Sequence, residues 1–98
     1  MAKPECQLIS IHELREKMKA APELCILDVR ELVEWNEFHI PGAIHIPKDQ
    51  VIAKINDYML DKNHPIYVHC LGGVRALYAA HCLIEMGYTE VYSVTGSL

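Results

Sequence analysis

The sequence predicts an α/β domain in three layers, with a central, mostly parallel five-stranded sheet and helices on both faces. Three observations carry that prediction. Short apolar runs recur at residues 7–9, 24–29, 43–46, 66–69 and 91–94. Several are too uniformly apolar for a strand with one solvated face, which is the pattern of strands covered on both sides. Stretches of helical period separate them, and strands alternating with helices need crossover connections and hence parallel pairing.

The elements follow in chain order. After the first strand, Ser10-Ile11-His12-Glu13 is a capping box, and Ile11, Leu14 and Met18 then share one helical face. The second strand ends near Val29, and a short helix is expected over residues 31–37. Pro41-Gly42 makes a turn into the third strand. Val51, Ile52, Ile55 and Met59 repeat a helical stripe, and residues 61–65, Asp-Lys-Asn-His-Pro, form the turn before the fourth strand. Ala79, Cys82, Leu83 and Met86 form a further stripe that ends at Gly87, a good helix terminator, before the last strand.

Ninety-eight residues suit one domain spanning 1–98, long enough for a real core. A net charge of −4 with scattered Lys and Arg excludes the basic patch a nucleic-acid binder needs. No run is long and apolar enough to span a membrane, and the start lacks the apolar centre of a signal peptide, so a cytoplasmic setting is expected. Cys6, Cys25, Cys70 and Cys82 contain no Cys-x-x-Cys pair and, in a reducing compartment, are expected as free thiols. The six histidines form no ligand motif, so no metal or cofactor is expected.

The chemistry concentrates where the fourth strand ends, in His69-Cys70-Leu71-Gly72-Gly73-Val74-Arg75. Ligands in open parallel sheets bind beyond the carboxyl ends of strands. A thiol attacks only as thiolate, which positive potential favours. Three sources of that potential are expected here: the N-terminus of the helix beginning near Val74, inward backbone N–H groups freed by Gly72 and Gly73, and the Arg75 guanidinium. The bland alternative is a buried cysteine before a glycine turn. His69 is expected to face away from the thiol, since neighbouring strand residues point to opposite faces. Cys82 is expected in the core and too far along its helix to pair with Cys70.

Loop length separates two anion chemistries. The tyrosine phosphatase loop is one residue longer than the four residues between Cys70 and Arg75, so the loop here has room for a second sulfur and crowds a tetrahedral phosphate. With Leu27-Asp-Val-Arg30, Glu34-Trp35, residues 39–47 (His-Ile-Pro-Gly-Ala-Ile-His-Ile-Pro), residues 75–80 and Met86-Gly-Tyr88, the chain resembles the single-domain rhodaneses over about positions 8–96. The resemblance implies a rhodanese-like fold and a sulfurtransferase. Cys70 would accept sulfane sulfur from thiosulfate or a thiol persulfide and pass it to cyanide, a thiol or a protein acceptor. By the same resemblance the N–H groups of Leu71, Gly72, Gly73, Val74 and Arg75 cradle the persulfide, and Arg75 binds an anionic donor. The rival readings are a non-catalytic binding or regulatory module and, behind it, phosphatase or arsenate reductase chemistry.

Five departures qualify the likeness. Some members that use thiosulfate carry a basic residue after the cysteine, where this chain has Leu71, and one cation instead of two weakens the grip on a small dianion. Phe38 stands where the family has Gly, Ala76 where it often has Ser, and Gly96-Ser97 where it has Gly-Gly. With the sequence ending at Leu98, a terminal helix of many relatives is expected to be missing and one side of the sheet to be less covered. Asp28, Arg30 and Glu34 form the second candidate group. Their expected role is structural, with Asp28 capping the following helix and Arg30 pairing with Glu34, and with a smaller role for Arg30 at the rim.

Overall fold

The structure, a computed structural model, describes residues 5–96. β1 (Gln7–Ser10), β2 (Cys25–Asp28), β3 (Ile44–His45), β4 (Ile66–His69) and β5 (Val91–Thr95) form one sheet in the order β1-β5-β4-β2-β3. Every neighbouring pair is parallel. β4 is central, and the strand order reverses between it and β2. The residues following those two strands, Cys70 and Val29–Arg30, therefore flank the point where such sheets open a crevice.

Alternation along the strands builds the core on both faces. Ile66, Val68 and Cys70 point to one side, with Leu27, Val29 and Val91, and pack under α4 (Val74–Glu85) and α3 (Val51–Lys54). Ile9, Ile26, Tyr67 and Val94 point to the other, against Leu14 of α1 (Ile11–Ala20). Each fully buried Leu, Ile or Val contributes about 1.5–3 kcal/mol from lost apolar hydration. On the second face Tyr67 is buried and stacks on the half-buried Tyr92, ring centroids 4.7 Å apart. Ser97 and Leu98 lie outside the described residues.

The capping box forms as the sequence predicts. Glu13 N–H donates to Ser10 Oγ at 3.0 Å, and Ser10 N–H donates to Glu13 Oε1 at 3.2 Å. The stretch around Val51 differs from expectation. It is a single α turn between two 3-10 turns, Lys48–Gln50 and Ile55–Asp57, and Ile52 is 60 % exposed. Val51 and Ile55 are fully buried on the inward line and Met59 packs part-buried against the same core, whereas Ile52, one residue on from Val51, is rotated about 100° away. In α4 the buried line is Ala76, Ala79, Ala80, Leu83 and Ile84. Cys82 sits at its edge, half-buried and not in the core as predicted. Small alanines at the contact let α4 lie close to the sheet and bring its N-terminus to the end of β4.

Candidate active site

β4 delivers Cys70, and the chain then turns over the sulfur into α4. The hinge of that turn is Gly73, the N-cap of α4, at φ 94. A side chain there would be strained by the backbone conformation, although a Cβ would meet nothing nearer than 3.8 Å. Gly72 has no positive φ, so the left-handed backbone rests on one glycine and not two as predicted. The turn aims Gly73 N–H at Cys70 Sγ at 3.0 Å, and Ala76 N–H, from the first turn of α4, reaches the same sulfur at 3.2 Å. These are two of the donors that a helix start leaves without intrahelical partners. Sequence reasoning missed Ala76, although the first-turn position was a usable signal. Among the amides of Leu71, Gly72, Gly73, Val74 and Arg75, only that of Gly73 donates to the sulfur.

The Cys70 side chain is fully covered, at 0 % exposure, as the alternative of a buried cysteine before a glycine turn expects. Leu71, Gly72 and Val74 around it are exposed. No ligand-sized cavity opens among the described residues. The sulfur therefore lies beneath its own loop in a pocket of N–H groups.

Arg75 is not free. Its two terminal nitrogens donate to Glu34 Oε1 at 2.6 Å and Oε2 at 2.9 Å, a bidentate pair about a quarter exposed on each side. The guanidinium hydrogen bonds hold the Glu34 carboxyl down to about 2, with burial opposing. Glu34 lies on α2 (Leu32–Glu37), and its Oε1 also accepts from Glu31 N–H at the start of that helix. The predicted Arg30–Glu34 pair is thus replaced by one that joins α2 to the loop.

Arg30 pairs instead with Asp28. Asp28 Oδ1 accepts from Arg30 N–H at 3.0 Å, and the two carboxylate oxygens take Nε and Nη2 at 2.8–3.1 Å. Both side chains are buried, at 2 % and 1 % exposure, so Arg30 is not at the rim. Asp28 spends its oxygens on Arg30 and does not cap α2, whose N-cap is Glu31. Arg30 Nη2 also donates to the Phe38 carbonyl at 2.7 Å, and Arg30 Cζ stands 5.1 Å from the Phe38 ring centroid. Phe38 itself is extended, at φ −166, a conformation open to any residue, so the family's glycine is not needed there. In this way the buried pair holds the end of α2 and with it the helix that carries Glu34.

His69 faces away from the thiol, as predicted. Its Nδ1 lies 3.9 Å from Asp28 Oδ2, and neither ring nitrogen has a hydrogen-bond partner in the structure. Burial makes His69 harder to protonate than an ordinary histidine, with Asp28 opposing and Arg30 reinforcing the effect. Trp35 lies between His39 and His45, with ring centroids at 3.5 and 4.8 Å, so it packs against the chain from β2 to β3. Of the other thiols, burial pushes Cys25 up to about 11 and raises Cys6. Among the described residues no three His, Cys, Asp or Glu side chains come together to hold a metal, and no helix is long and apolar enough to cross a membrane.

A strand-end cysteine under a helix N-terminus, closed by an arginine five positions on, is matched along nearly the whole chain by one family model, the rhodanese-like domain, over residues 10–98. The chain belongs to the rhodanese-like family. Its relatives include thiosulfate sulfurtransferase GlpE of Coxiella burnetii, 36 % identical over 76 residues, covering 76 % of this chain and 67 % of that protein. Thiosulfate sulfurtransferase PspE of Escherichia coli is 37 % identical, covering 71 % of this chain and 67 % of that one. The chain spans only 45 % of another relative, YrkF of Bacillus subtilis, at 37 % identity. Among solved structures, a rhodanese-like domain protein from Staphylococcus aureus superposes with a TM-score of 0.82 at 31 % identity, covering 93 % of this chain and 86 % of that one. An E. coli rhodanese solved with anions gives 0.70 at 36 % identity, covering 74 % and 85 %. The fold is therefore the rhodanese fold and the family a sulfurtransferase family.

Proposed function

We propose that this rhodanese-like domain moves sulfane sulfur through a persulfide on Cys70, from an anionic donor such as thiosulfate or from a thiol persulfide, to cyanide, a thiol or a protein thiol. The observation that carries this reading is the pair of N–H groups, from Gly73 and Ala76, aimed at Sγ where α4 begins. Donors placed around a sulfur stabilise negative charge on it, both as the attacking thiolate and as the persulfide that follows. Arg75, one residue from Ala76, adds a cation beside the cradle. A cytoplasmic setting suits a cycle that needs reduced thiols.

Because the thiol is covered, donor access requires residues 71–73 to swing outward. Leu71 and Gly72 are exposed there, and Gly73, at positive φ, is the pivot of the turn. The covered thiol and the occupied Arg75 are also the observations that favour the second reading, a non-catalytic module that binds or regulates a partner. The two separate on turnover. The transfer reading predicts thiocyanate from cyanide with thiosulfate or a small persulfide as donor, and none with a folded Cys70→Ser variant. A folded wild-type chain that yields no thiocyanate from either donor overturns the transfer reading and leaves the module.

A further inference from the structure

The carboxylate of Glu34 occupies the guanidinium that an anionic donor needs. We infer that Glu34 is a donor-selecting residue: by holding Arg75 in a bidentate pair it sets the site against small dianions such as thiosulfate and toward sulfur carried on a thiol persulfide. The inference deepens the proposed transfer chemistry and rests on it.

Three features of the site support this. First, both terminal guanidinium nitrogens of Arg75 donate to Glu34, at 2.6 and 2.9 Å, and Glu31 adds further negative potential at Arg75. A dianion must break that pair and then sit beside the released carboxylate, paying like-charge repulsion that a neutral donor avoids. Second, no other cation is at hand in the loop or at the end of β2. The position after Cys70 is Leu71, and Arg30 is locked between Asp28 and the Phe38 carbonyl. Lys48 stands 5.1 Å from the Tyr78 ring, one turn further along α4, and 3.7 Å from Asp49. Third, the exposed side chains flanking the thiol are Leu71 and Val74, which suit the carbon skeleton of a thiol and offer nothing to a sulfonate.

The two donors make different demands in the first half-reaction. With thiosulfate, Cys70 thiolate attacks the outer sulfur, the S–S bond breaks, and its electron pair leaves on sulfite, which departs as a dianion and needs a cation near the leaving group. With a persulfide R–S–SH, the thiolate attacks the terminal sulfur, which keeps its proton, and the pair leaves on R–S⁻, a single charge. Only the first reaction requires Arg75 to let go of Glu34.

The test is single-turnover persulfide formation in the full chain with thiosulfate and with the persulfide of 2-mercaptoethanol, read as the ratio of kcat/KM for the two donors. Glu34→Gln keeps the oxygen that accepts from Glu31 N–H and removes the charge. It should shift the ratio toward thiosulfate by about fivefold, the upper end of what a part-exposed pair is worth. Glu34→Asp, which keeps the charge, should stay near the wild-type ratio. A ratio that Glu34→Gln leaves unchanged or moves toward the persulfide overturns the inference while the transfer chemistry stands. Sulfur uptake by the wild type from neither donor overturns the transfer reading itself, and this inference with it.

Discussion

Two arginine–carboxylate pairs stand side by side in this molecule and do different work. Arg30–Asp28 is local in sequence, almost wholly buried, and tied further to the Phe38 carbonyl. Arg75–Glu34 joins residues 41 apart in sequence, is about a quarter exposed, and closes over the loop that holds the thiol. The chemistry of the contact is the same, and the surroundings decide the function. A buried pair cannot lose one partner without stranding a charge in a medium that solvates it poorly. A pair at the surface can be exchanged, because water or a donor's charge replaces the partner at small cost. The first is a strut for α2, and the second is the part of the site that a substrate can reach.

The comparison breaks most visibly if the strut is cut. Asp28→Asn leaves the buried Arg30 guanidinium without its counter-charge and is expected to lower unfolding free energy by about 3–5 kcal/mol in urea titrations. A loss below about 1 kcal/mol would place that pair with the exposed one.

A smaller effect is expected from acid. His69, packed against Asp28, takes up a proton less readily in the folded chain than in the unfolded chain. The unfolded chain therefore binds more protons as pH falls below about 6.5, and stability drops on that side. His69→Phe, which fills a similar space without titrating, should flatten the fall in melting temperature between pH 7 and 5. An equally steep fall in the variant would assign the acid sensitivity elsewhere. Glu34 loses its contribution only at lower pH: its carboxyl is held near 2, so its stabilisation is present above the ordinary carboxylate range and is lost as pH falls through about 2.

The smallest stability change is expected at the other pair. Arg75→Ala should cost about 1 kcal/mol or less, yet slow sulfur uptake from thiosulfate more than from an uncharged donor. Equal slowing for both donors would remove the guanidinium from donor binding.

Much of this was legible in the sequence, and the exceptions share a cause. The strands were readable because their apolar runs are short and dense, and α1 because Ser10 and Glu13 announce its start. Cys70, Gly73 and Arg75 were readable because the loop is contiguous. The partner of Arg75 was not, since Glu34 comes from α2 across the sheet rim, and the sequence offered Arg30 as its nearer match at helical spacing. The burial of Arg30 was likewise hidden, because nothing in Leu27-Asp-Val-Arg30 says that both charges turn inward together. Ile52 and Cys82 were misplaced by one helical position, where a stripe read from sequence has no sharp edge. The full burial of Cys70 was hidden as well, because it depends on how the turn into α4 folds over the sulfur.

The most direct test is to locate the transferred sulfur. The folded chain is exposed briefly to a small persulfide, alkylated, digested, and its cysteine peptides weighed with and without a cyanide chase. The account predicts one added sulfur, on the peptide carrying Cys70, removed by cyanide and absent in Cys70→Ser. Sulfur found on Cys82 or Cys6 with Cys70 unmodified, in a chain shown to be folded, would contradict it.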